Sequence, residues 1–182
     1  AETQYSYGAL TPTGFKLPSN FNHGTGTTQY IYVAIRRPHK PASEFAATDL
    51  FKVSIGNNTD PTFNSGFVTD FNFYRDVTGS SECYASSRLT GTRFLSTNSN
   101  AIENASSSFT WDFMNGFRDG TLNTDFYSWM WRRAPGFFDV VTYTGNSSTR
   151  NLPHNLGAVP EMMWIKRRSV AADWAVYHSA MG

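Results

Sequence analysis

The residues best suited to catalysis are carboxylates. Asp70, Asp76 and Glu82 fall in one short stretch, and Glu161 with Asp173 falls in another. Two facing carboxyl groups can hydrolyse a glycosidic bond, one as acid and the other as base or nucleophile. Separation along the chain does not set the separation in space, however. Asp70 with Glu82 and Glu161 with Asp173 recur about 91 residues apart, which reads more simply as one structural pairing used twice. His23, His39, His154 and His178 show neither i,i+4 nor His-x-His spacing, so no metal site is expected. Cys83 is the sole cysteine, which excludes an intrachain disulfide and a thiolate cluster and leaves it as a small buried hydrophobe. Asn57, Asn104 and Asn146 begin Asn-x-Ser/Thr tripeptides. Nucleophile elbow, phosphate loop and dinucleotide fingerprint are all missing. The expectation is a chain without catalytic residues, metal or cofactor, and not an enzyme.

The elements that would position these groups follow a repeat. Asn155, Gly157, Val159, Glu161, Met162, Trp164, Lys166 and Asp173 fall without a gap on Asn64, Gly66, Val68, Asp70, Phe71, Phe73, Arg75 and Glu82. Upstream, Tyr127, Trp129, Trp131, Arg132 and Arg133 correspond to Ile31, Val33, Ile35, Arg36 and Arg37, and Gly116 with Phe117 to Gly14 with Phe15. Two β units of about 90 residues are therefore expected, at 1–97 and 98–182, the second truncated, within a window of a longer chain. The polar stretch 98–108 reads as the seam between them.

Strands are expected at 15–17, at 30–35, buried on both faces, and at 52–55, 68–75, 82–86, 89–95, 109–113, 116–118, 126–131, 138–144, 161–166 and 173–177. Residues 43–51 carry spacing compatible with a short helix after a serine cap. Gly66 and Gly157 are expected at positive φ or a close backbone approach, with Val68 and Val159 entering the core behind them. The paired arginines are expected at strand ends, stacked on aromatics or paired with carboxylates such as Glu161 and Asp70.

Composition agrees with an all-β, sandwich-like fold. The 182 residues are 40% hydrophobic and 16% charged, with 15 Phe, 9 Tyr and 5 Trp. Aromatic residues suit pleated surfaces, and the abundant Asn, Ser, Thr and Gly suit turns. A net charge of +1 gives no field for nucleic acid. No apolar run is long enough for a membrane helix, so no membrane insertion is expected.

The phrases WMWRRAPGFFDVVTYTGN, LPHNLGAVPEMMWIKRR and DWAVYHSAMG resemble repeats of virion and tail-fibre proteins of marine bacteriophages, particularly those of cyanobacteria. The resemblance covers about residues 110–182, with the earlier part a divergent copy. It implies a β-rich virion structural protein, a tail fibre or related tail component, assembled in the bacterial host cytoplasm and involved in host adsorption. It also implies association with other virion proteins and a homo-oligomer, trimeric by analogy. A host surface glycan or protein would then be met by exposed loops. Asn22, His23, Thr25, Lys40 and Glu44, in or beside the larger insertions at 19–28 and 38–49, are the receptor-binding candidates. The alternatives are an architectural nozzle, neck or capsid-surface module, and a glycan depolymerase.

Overall fold

The computed structural model describes residues 9–11, 14–16, 29–35, 46–79, 83–120 and 124–181. It is all-β. The strongest apolar runs form the strands on which the rest assembles: β3 (Gln29–Ile35), β12 (Phe126–Trp131) and β13 (Phe138–Thr144). Tyr30, Ile31, Tyr32, Val33 and Ala34 are all buried, so β3 has core on both faces, as its unbroken hydrophobicity requires.

Two large antiparallel sheets pack face to face. The six-stranded sheet has the order β4-β12-β6-β7-β8-β9, where β4 is Phe51–Ile55, β6 Phe71–Asp76, β7 Cys83–Ser87, β8 Arg93–Ser96 and β9 Asn104–Ala105. The four-stranded sheet has the order β13-β3-β15-β16, with β15 Met162–Arg167 and β16 Ala175–His178. Ile31, Val33, Phe71, Ala85, Leu95, Phe138 and Val140 fill the space between them. Ring contacts such as Phe71 to Phe138 (5.6 Å) and Phe73 to Trp164 (4.9 Å) cross it.

Each large sheet is covered on its far face by a three-stranded one. β1 (Ala9–Thr11), β2 (Gly14–Lys16) and β14 (Asn151–Pro153) cover the four-stranded sheet, through Phe15, Tyr32, Leu152, Leu156 and Met163. β5 (Phe63–Asn64), β10 (Phe109–Thr110) and β11 (Gly116–Asp119) cover the six-stranded sheet, through Phe63, Tyr74, Trp111, Phe117 and Met130. Four layers thus enclose three cores, which is how a chain this rich in aromatics hides them.

The chain divides between these layers in an unexpected way. Residues 46–131 supply the six-stranded sheet and its cover, an inner half continuous in sequence. The four-stranded sheet and its cover come from β1 to β3 and β13 to β16, an outer half made of strands on either side of the inner one. The sheets do not part at the boundary expected between residues 97 and 98, where β8 and β9 are hydrogen-bonded neighbours.

Some local expectations need correction. In place of the helix at 43–51 there is one 3-10 turn, Ala47–Asp49, followed directly by β4; Ser43, the expected cap, lies outside the described residues. Asp49 closes that turn by accepting from the Ala46 amide (2.9 Å). Gly66 and Gly157 do adopt positive φ, at 80° and 66°. The residues that fill the core beside them are Phe67 and Leu156, while Val159 is 44% exposed and Val68 half-buried. The strands after these glycines begin only at Phe71 and Met162.

Candidate functional site

The groups singled out for chemistry fall into three places. The first is a junction where β12 ends. Asp70 precedes β6, and its Oδ2 accepts from the Arg133 amide at 2.7 Å, while Arg88 Nε stands 3.8 Å from its Oδ1. Arg133 Nε reaches on to Asp139 Oδ1 at 2.6 Å, and Asp139 Oδ2 accepts from the Asn155 amide at 2.7 Å. Burial raises the Asp70 carboxyl above the usual aspartate value, against the opposing pull of the Arg133 amide and then of Arg88, Arg133 and Arg132. His154 adjoins this junction: its Nδ1 accepts from the Leu156 amide at 3.2 Å, and burial lowers its pKa against the pull of Asp139. Every oxygen of Asp139 is occupied by the fold. The junction joins β6, β12, β13 and the loop after β14, so it clasps one large sheet to the other.

The remaining carboxylates are scattered. Asp76 Oδ1 accepts from the Thr78 amide, the Thr78 hydroxyl and the Gly79 amide, all within 3.1 Å, and so builds a turn. Asp173 is exposed, Glu161 is half-buried, and Glu82 lies outside the described residues. Among the described residues no group of three or more His, Cys, Asp and Glu could hold a metal.

The second place was missed by sequence reasoning. Lys166 is fully buried, and its ammonium donates to the carbonyls of Asn100 (3.2 Å), Ala101 (2.9 Å) and Ala172 (2.6 Å). An ammonium has three protons, and here each has an acceptor. Burial lowers its pKa, Asp173 opposes that, and Arg167 adds to it. Beside it Arg168 Nη2 pairs with Glu103 at 2.7 Å, and the Glu103 amide donates to the Arg168 carbonyl. The stretch 98–108, read as a seam, is therefore strapped onto the loop after β15. A sequence signal existed: Lys166 alternates with Met162 and Trp164 on one face, an inward position that no solvated lysine would take.

The third place is a groove of about 350 Å³ lined by Phe73, Cys83, Thr97, Trp164, Trp174 and Val176. It lies where β6 and β7 of one large sheet meet β15 and β16 of the other. Trp174 is held in place by its indole N–H, which donates to the Ser96 carbonyl at 2.9 Å. Val176 is 41% exposed, and Cys83 is a free half-buried thiol. Phe73 is also the cross-strand neighbour of Trp129, which in turn pairs with the exposed Val53, so apolar surface continues from the groove across β12 to β4. Its volume and aromatic lining match those of sites for small organic ligands.

The five receptor-binding candidates, Asn22, His23, Thr25, Lys40 and Glu44, lie outside the described residues. No helix among the described residues is long and apolar enough to cross a membrane. Residues 43–182 match a family described as a domain of unknown function, DUF7483. No curated protein and no solved structure is similar to the chain.

Proposed function

The chain belongs to the DUF7483 family, and since that family's description states no activity, we propose from its own residues that it is a bacteriophage virion structural protein. In this reading it is a tail fibre or related tail component that takes part in adsorption to the host surface. The observation that carries the reading is the division of labour among its side chains. Asp70, Asp76, Asp139, His154 and Lys166 are all engaged in holding the fold, whereas the Trp164 and Trp174 groove is left open to solvent. Flat aromatic faces take the apolar face of a sugar ring without charge, and Thr97 in the groove lining supplies a weak directional contact. The resemblance of its C-terminal phrases to phage fibre repeats is what suggests the biological setting.

Binding of the chain to a glycan array and to host cells tests this. Saturable binding is expected, falling about tenfold in Trp164→Ala or Trp174→Ala, the loss of one stacking contact. If deletion of residues 19–28 abolishes binding while both Trp variants retain it, the receptor surface lies in that insertion instead. No binding at all favours an architectural module in the nozzle, neck or capsid surface. Release of reducing ends, abolished by Glu161→Ala or Asp173→Ala, favours a depolymerase.

A further inference from the structure

Four strands of the six-stranded sheet, β4-β12-β6-β7, match the four of the other, β13-β3-β15-β16, in order, while β8 and β9 have no counterpart. In the six-stranded sheet Trp131 of β12 stands between Phe51 of β4 and Phe71 of β6, and Trp129 between Val53 and Phe73. In the four-stranded sheet Ile35 of β3 stands between Phe138 of β13 and Met162 of β15, and Val33 between Val140 and Trp164. The next strand obeys the same rule: Phe71 faces Ser87 and Phe73 faces Ala85, as Met162 faces His178 and Trp164 faces Val176. The covering sheets pair corresponding strands, with Gly116 and Phe117 opposite Asn64 and Phe63, and Gly14 and Phe15 opposite Pro153 and Leu152, two residues short of Asn155, the sequence counterpart of Asn64. A shift of one residue would turn a strand's side chains to the wrong face, so agreement at each of these pairs in the two large sheets is a demanding match.

In both halves a leading group of strands completes an acceptor group. β10 to β12 complete β4 to β7, and β1 to β3 complete β13 to β16. What differs is chain order: in the inner half the donor follows its acceptor, and in the outer half it precedes it, with the whole inner half between. Each donor group thus pairs with strands of the other repeat. Phe73 and Trp164, equivalent residues, pack against one another with tilted rings where the halves meet, as at the centre of an isologous dimer.

We infer that the chain is one unit built twice with its leading strands exchanged, and that β1 to β3 form a strand donor whose interchangeable partner is a second copy of this chain. The slot for β3 lies in the middle of a sheet, between β13 and β15, and its occupant is buried from Tyr30 to Ala34. Withdrawal of β3 bares two strand edges at once, and an unpaired edge is a template for another chain's strand. A donor from a second copy makes the same contacts as the chain's own, so only concentration selects between them. This holds whether or not the protein serves in a virion.

The test refolds a mixture of isotopically light and heavy full chains at rising concentration, read by native mass spectrometry. Mixed dimers are expected to grow with concentration. An excess of synthetic peptide 9–35 is expected to cut them at least tenfold and to appear bound one to one, as is peptide 109–131, the inner donor, whereas peptide 9–35 carrying Val33→Asp changes nothing. If the chain does not refold, native chain in sub-denaturing urea is given the same labelled peptides, and uptake of the first two but not the third is expected. Monomer throughout with no peptide uptake overturns the inference. So do oligomers indifferent to peptide 9–35, and so does uptake of peptide 9–35 without peptide 109–131, since one unit built twice requires two equivalent slots.

Discussion

At the scale of single residues, the structure separates charges that hold the fold from charges the fold tolerates. Lys166 is of the first kind, because truncating it takes the ammonium donor from the carbonyls of Asn100, Ala101 and Ala172, of which only Asn100's keeps a second donor, the Ala172 amide. Lys166→Met is expected to cost about 3 kcal/mol, measured by urea unfolding, and to speed amide exchange in residues 100–103, which the lysine secures. Asp119 is of the second kind: it is buried, its partner is the Tyr74 hydroxyl, and burial raises its pKa. A carboxyl whose folded pKa exceeds the unfolded value of 3.8 binds protons more readily when folded, so its cost shrinks as pH falls through that window. Asp119→Asn keeps an acceptor for Tyr74 and is expected to melt at least as high as wild type at pH 7, with the gap narrowing by pH 4. His154 runs the other way. Its folded pKa lies below the ordinary 6.5, so the unfolded chain takes up the proton first and stability falls on acidification below that value. In His154→Gln the drop is expected to be shallower, seen as a flatter melting temperature between pH 7 and 5.5.

At the scale of elements, close approach decides more than propensity. A Cβ on Gly116 would sit 2.0 Å from the Phe63 carbonyl oxygen, where β11 meets β5. Gly116→Ala is expected to cost more than about 3 kcal/mol and to loosen the cover over Tyr74 and Met130, whereas Gly157→Ala, strained at positive φ but in open space, costs about 1 kcal/mol. Thermal melts of the pair check the contrast. The strands most legible in the sequence were those whose apolar runs are long enough to bury both faces or one whole face, β3, β12, β13 and β15, and β4, β6, β7 and β11 also fall on expected stretches. Illegible were β5, β9 and β14, whose two or three residues carry no period and owe their pairing to partners far along the chain. The expected helix failed because Asp49 closes a single turn and the β-forming run 51–55 begins at once. The groove was invisible for a related reason. Its walls come from β6, β7, β15 and β16, and no local spacing brings Phe73 to Trp164.

At the scale of the whole molecule, the outer half depends on contacts that span the inner one. Val33→Ala removes buried volume from the central strand of the four-stranded sheet at a cost of about 2 kcal/mol. Faster amide exchange is expected in β13 and β15, more than a hundred residues away in sequence, with β6 and β7 much less affected; equal loosening of both sheets would mean that the four layers open as one unit. The same arrangement bears on birth at the ribosome. The inner half can close as soon as β12 has emerged, but β3 must wait, its apolar faces unprotected, until β15 is made some 130 residues later. At about 5–20 residues per second that delay lasts on the order of 10 seconds, long enough for nascent neighbours on one messenger to meet.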